Sequence, residues 1–224
     1  MQITNALAAF FFFFFFFFFG FTGAEFIYDT DGDILKNGGH YRIQPLPGAI
    51  EAIVGASISS NENSSSCSIA VVVALQDISW PTKISTPFPL NYITNDYPLN
   101  ISFTNLPSNA SCTNTPDWVV ATQPAFNDTD PIMVGKFEEF SLPRSGYFYI
   151  KPYESTKYYV LAFCYSKDSC GYVTYRTDSD GKNRMVVSMD RSETPFAYMF
   201  FKAIRDNNVA SGISMAVGES TSAI

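Results

Sequence analysis

The chain has 224 residues, 46% of them hydrophobic, which suits one all-β domain with a sizeable core. Its formal charge of −7, from 14 Lys+Arg against 21 Asp+Glu, excludes the basic face with which a protein displaces counterions from nucleic-acid phosphate. A single histidine, His40, leaves little scope for acid–base or zinc chemistry.

The amino end is an address. Eleven of the 22 phenylalanines lie in Phe10–Phe19 and at Phe21, and the first 24 residues carry no charged side chain. The run Ala6–Phe21, apolar apart from Gly20, is 16 residues long, shorter than the about 20 that a spanning helix needs. Its small-residue exit, Thr22-Gly23-Ala24 before Glu25, predicts a signal peptide over 1–24 cleaved before Glu25, with an uncleaved anchor as the alternative. The mature protein is then expected to be secreted to the extracellular space or delivered to the vacuole, with no membrane association after cleavage. A domain over 25–206 follows, and the small, polar stretch Asn207–Ile224 is expected to be a flexible tail.

Near the start of that domain, Asp29-Thr30-Asp31-Gly32-Asp33 invites comparison with a calcium loop. The glycine falls at position four instead of six, and His40 stands where the twelfth-position glutamate belongs, so an acidic turn is predicted. Asn37-Gly38-Gly39 marks a second turn, with His40 beside it. From there short β-branched and aromatic runs dominate: Ile69–Leu75, Leu99–Phe103, Tyr147–Ile150, Tyr158–Phe163, Gly171–Thr177, Met185–Met189 and Phe196–Ile204. Turn residues separate them, and many short strands with short polar connections indicate a sandwich or a barrel. Tyr41-Arg42-Ile43, Leu99–Phe103 and Tyr159–Phe163 share one alternating pattern, centred on residues 43, 101 and 161, which are 58 and 60 apart. Three units of that length fit a threefold barrel, the trefoil.

Four cysteines, Cys67, Cys112, Cys164 and Cys170, suit an oxidising compartment, and no Cys-x-x-Cys pair suggests metal. Three pairings are open, and chain order favours Cys67–Cys112 with Cys164–Cys170. Sequons at Asn63, Asn100, Asn109 and Asn127 are glycosylation candidates. Asn100 lies inside an apolar alternation, where modification requires that it face outward. Glu138 and Glu139 alternate across a strand or loop, so their carboxylates diverge, whereas a glycosidase pair converges. Phosphate-binding and dinucleotide-binding glycine motifs are missing from the sequence. No catalytic residue, metal site or cofactor is expected, and the chain is not expected to be an enzyme.

Ile27-Tyr28-Asp29-Thr30-Asp31-Gly32-Asp33-Ile34-Leu35, followed after five residues by Tyr41-Arg42-Ile43, resembles the amino-terminal signature of the plant Kunitz family, the soybean trypsin inhibitor type. Pro116-Asp117-Trp118, the Leu161-Ala162-Phe163-Cys164 and Cys170-Gly171 segments, and Gly181-Lys182-Asn183-Arg184-Met185-Val186-Val187-Ser188 are similar to further family segments. The resemblance spans about Phe26 to Ala203. It implies a β-trefoil of about twelve strands, the two disulfides in the order favoured above, and protease inhibition by a monomer through a loop outside the barrel.

That loop is expected within Thr82–Tyr92, at Ser85, Thr86, Pro87, Phe88, Pro89, Leu90 and Asn91, with Asn37 matching the family's bracing asparagine. The implied partner is a protease, with serine proteases favoured. The residue before the scissile bond, P1, is Pro89 where an Arg or Lys would suit trypsin, so strong trypsin inhibition is not expected. A shift of one residue makes Phe88 the P1 residue and leaves Pro89 at P1′. Lys83-Ile84 lies six residues upstream, on the strand leading into the loop. A non-inhibitory member of the family, serving storage, defence or carbohydrate binding, is the alternative reading.

Overall fold

In the computed structural model the described residues are 24–46, 51–58, 68–75, 79–106, 115–122, 129–178, 180–190 and 192–203. Residues 1–23, the tail from 204, Cys67, Cys112, Asn63, Asn109 and Asn127 lie outside them. Twelve strands follow in chain order: β1 Gly39–Pro45, β2 Glu51–Ile58, β3 Ser68–Leu75, β4 Pro81–Ser85, β5 Asn100–Phe103 and β6 Trp118–Val120. The second half holds β7 Thr129–Val134, β8 Tyr147–Tyr153, β9 Ser155–Ser166, β10 Ser169–Thr177, β11 Asn183–Ser188 and β12 Ala197–Lys202.

Every ladder is antiparallel, and apart from β9–β10, which joins them, the pairings fall into two groups. β1–β4, β4–β5, β8–β9, β9–β12 and β12–β1 run around a barrel wall. The join from β5 to β8 is the single bridge between Leu99 and Phe148, whose two N–H···O bonds are 2.8 and 3.3 Å. The hairpins β2–β3, β6–β7 and β10–β11 form the second group and meet through β3–β7, β7–β11 and β3–β11. Three four-stranded units, each giving strands to the wall and one hairpin to the cap, make a β-trefoil.

Packing follows from the alternation of side chains along a strand. Ile43, Ile101 and Leu161, on the first strands of the three units, are 0%, 2% and 0% exposed, so the sixty-residue spacing corresponds to a repeat in space. Rings of Phe103, Trp118, Phe148 and Phe163 meet edge to face in succession, with centroids 5.1–6.2 Å apart. β3 is buried on both faces: Ile69, Val71 and Val73 join the barrel core, while Ala70 and Val72 pack against Ala52, Val54, Ala121 and Met133. A strand covered on both sides has no polar face to alternate, which is why Ile69–Leu75 is a continuous apolar run. The one disulfide among the described residues joins Cys164 to Cys170, across the β9–β10 register pair.

Two expectations change in detail. Ser85 is not a loop residue but the last residue of β4, paired with Asn100, so the projecting segment is 86–91. Glu138 and Glu139 lie in a single 3-10 turn, Phe137–Glu139, because Glu139 Oε2 accepts from Lys136 N at 3.0 Å and closes that turn.

Candidate functional site

The amino-terminal segment 26–37 reaches the loop by running beside residues 91–95. Phe26 bridges Thr94, Lys36 bridges Tyr92, and Ile27 N and Ile93 N donate to Ile93 O and Leu35 O. At its end Lys36–Gly39 forms a turn, Gly39 N donating to Lys36 O at 3.0 Å. Gly38 has φ +75°, the left-handed conformation that the third position of a type II turn demands. Gly39 is required for another reason: a Cβ there would lie 2.7 Å from the Tyr41 ring and 2.9 Å from Lys36 O. Tyr41 caps the turn from below, its hydroxyl accepting from Lys36 N at 2.7 Å, and burial pushes its phenol above the usual range.

This turn aims Asn37 into the loop. Its Nδ2 donates to Leu90 O at 2.8 Å and Phe88 O at 3.3 Å, and its Oδ1 accepts from Thr86 N at 2.9 Å. The backbone completes the clamp, since Asn37 N donates to Asn91 O at 2.9 Å and Gly38 N to Ile84 O at 2.8 Å. One planar amide thus holds three main-chain groups through both donor protons and its acceptor. The loop is also tied to itself: Leu90 N donates to Phe88 O at 2.8 Å around Pro89, and Phe88 N to Thr86 Oγ1 at 3.4 Å. Pro87 and Pro89 fix φ on either side of Phe88. Thr86 is buried beneath, whereas Pro87, Phe88, Pro89 and Asn91 are exposed. The Phe88 ring leans on Tyr97, with centroids 5.4 Å apart.

Sequence reasoning places Asn37 and residues 85–91 as candidates, and the fold brings them together across about fifty residues of chain. It does not anticipate Tyr97, Tyr41 or the Thr86 hydroxyl, because their partners lie far away in sequence or depend on a side-chain rotamer. The remaining candidates stand apart. His40 is exposed, with Nδ1 2.8 Å from Thr104 Oγ1. Asn100 is exposed on β5, and Lys83 is exposed on β4. Among the described residues no cluster of His, Cys, Asp or Glu is arranged to hold a metal ion.

The acidic turn is a separate structure. Asp29 Oδ1 accepts from Asp31 N at 3.0 Å and Asp33 N at 2.9 Å, folding the backbone around its carboxylate. Lys202, from β12, lies 3.5 Å from Asp29 Oδ2 and 3.3 Å from Asp31, and bonds Asp33 directly. That hydrogen bond holds the Asp33 carboxyl below the usual range and raises the Lys202 ammonium above its own.

The barrel thus carries, between β4 and β5, a loop clamped through three hydrogen bonds by a side chain about fifty residues away. The model of a family described as trypsin and protease inhibitors, the legume Kunitz type, matches residues 27–202, and the chain belongs to that family. Trypsin inhibitor 1 from Senna obtusifolia is 29% identical, with 85% of this chain and 95% of that one covered and a TM-score of 0.69. Soybean trypsin inhibitor, solved in complex with porcine pancreatic trypsin, is 26% identical, covers 80% and 99%, and has a TM-score of 0.66. Winged bean albumin 1 is 26% identical over 80% and 99%, with a TM-score of 0.63. No curated protein sequence matches the chain.

Proposed function

We propose that the chain is an endopeptidase inhibitor of the secretory pathway, acting as a monomer through the loop at residues 86–91. The observation that carries this reading is the Asn37 clamp on Thr86, Phe88 and Leu90. Ordering a flexible loop opposes binding, and a loop already ordered in the free protein loses little more when a protease cleft closes on it. The same clamp slows turnover: if the bond is cut, both new ends stay in place and the peptide can re-form.

Serine proteases are the favoured targets, because the soybean relative binds trypsin in its solved complex. Trypsin itself is a poor candidate here, since Pro89 offers no cation to its pocket. Inhibition constants against a panel of serine, cysteine and aspartic proteases test the reading. Nanomolar inhibition of any one supports it, and inertness towards all favours the alternative, a non-inhibitory storage, defence or carbohydrate-binding protein. That alternative is supported by Pro89 and by the likeness to an albumin.

The compartment belongs to the same proposal. Glu25, first residue of the proposed mature chain, donates its N–H to Asn95 Oδ1 at 3.0 Å and accepts from Asn95 N at 3.0 Å. An ammonium created by cleavage before Glu25 keeps that donor. Amino-terminal sequencing of the secreted protein checks the cut. The second disulfide, Cys67–Cys112, is proposed on chain order and family resemblance; non-reducing peptide mapping checks it.

A further inference from the structure

We propose that the loop is built for a post-proline-cleaving serine endopeptidase with an open cleft, which would take the Pro89 ring in its specificity pocket. This rests on the inhibitory reading and names the enzyme class that reading leaves open. Attack at a peptide carbonyl requires that its oxygen be free to enter a cradle of N–H donors. Phe88 O already accepts from Asn37 Nδ2 and from Leu90 N, so both of its lone-pair directions are engaged. The Phe88–Pro89 bond is therefore not the presented one, and the Phe88 ring, resting on Tyr97, is not the P1 side chain. Leu90 O is held by Asn37 as well. The two gripped carbonyls bracket Pro89, and among the described residues no hydrogen bond occupies the Pro89 carbonyl between them. The presented bond is Pro89–Leu90.

The chemistry of that P1 residue selects the enzyme. A protease that reads its substrate as an added strand uses main-chain hydrogen bonds for affinity, and proline supplies no N–H to the acceptor that waits at P1. A trypsin-type pocket would bury a carboxylate without a partner, and a pocket sized for an aromatic ring would be left part empty. A shallow apolar pocket shaped for the five-membered ring, with no acceptor that needs the P1 N–H, meets neither penalty. Leu90 after the bond places no second proline at P1′. Pro87 and Pro89, exposed and locked in φ, also keep the unbound loop from sampling other shapes.

The test uses the mature, disulfide-intact chain with three enzymes: a post-proline-cleaving serine endopeptidase, trypsin and chymotrypsin, each followed with its fluorogenic peptide substrate. The expected result is inhibition of the first at least about a hundredfold stronger than of the other two. Pro89→Ala should lose about tenfold or more on the first enzyme, and Pro89→Arg should lose that enzyme and gain trypsin. If Pro89→Arg inhibits trypsin while the wild type leaves the post-proline enzyme untouched, this target class is overturned and the inhibitory loop stands. If both proteins are inert with native circular dichroism, the inhibitory loop falls too.

Discussion

The segment 26–37 carries a turn at each end, and the two are held by opposite means. At Asp29–Asp33 the chain is gathered around charge, with one buried carboxylate, two exposed ones and the Lys202 ammonium between them. At Asn37 a neutral amide grips neutral main-chain groups, and residues 85–91 contain no ionisable side chain. Ion pairs at a surface vary with pH and salt, whereas amide–carbonyl bonds do not. The turn that touches the barrel's last strand is thus conditional, and the one that shapes the candidate loop is not. A loop meant to meet a partner under varied conditions benefits from the second arrangement.

The largest effect should come from breaking the neutral clamp. Asn37→Ala removes three hydrogen bonds at once and returns the loop to a mobile ensemble, while Ile84, Thr82 and the barrel beneath stay packed. In a Pro89→Arg background, trypsin inhibition should weaken by about ten- to hundredfold, with faster cleavage of the 89–90 bond and little change in the melting temperature. Unchanged affinity and cleavage would show that the loop is shaped by its prolines alone. Asn37→Asp sharpens the point: it keeps the acceptor for Thr86 N but sets a carboxylate against the oxygens of Phe88 and Leu90. It should impair inhibition at least as much as alanine does.

Lys202→Met breaks the other turn. It leaves Asp29, whose side chain is 1% exposed, without the ammonium that lies 3.5 Å from its Oδ2. A lower midpoint in urea is expected, with Thr86 and Leu90 amide exchange unchanged. Loss of protection at Thr86 in this variant would show that the two turns are coupled through 26–37.

What the sequence made legible follows the same division between local and distant causes. The strands with β-branched or aromatic runs, such as β3, β9 and β10, stand out because their signal lies within them. β2 does not, because Ala52, Gly55 and Ala56 weaken its pattern and it is made a strand by pairing with β3 over eight residues. β6 is only three residues long, and Pro131 interrupts β7, yet both are fixed by the cap. The site divides likewise. Asn37 and the 85–91 stretch were legible through family likeness, but nothing local to Asn37 says that its amide spans the bond after Pro89. That follows only when β1 and β4 bring residues 38 and 84 together.

The smallest effect, and the one that separates the turns most cleanly, is acid. Asp33 has its carboxyl held below the ordinary value by the Lys202 hydrogen bond, so its native state binds a proton less readily than its unfolded state does. The contribution is fully present above the unfolded value near 4 and is lost as pH falls through the depressed native one. Lys202 has the reverse sign: its raised value makes its contribution complete below the unfolded value, about 10.4, and lost only as pH rises through the native one. Between about pH 5 and 9 both are in force. Lowering the pH from 5 to 2 should therefore loosen Asp29–Asp33 first, read as a fall in the protection factors, taken relative to the intrinsic exchange rate at each pH, of the Asp31 and Asp33 amides that donate to Asp29 Oδ1. The Thr86 amide, held by Asn37 Oδ1, should keep its protection over that interval until global unfolding begins. If Thr86 loses protection in step with Asp31 and Asp33, the neutral clamp depends on the charged turn and the contrast between them is wrong.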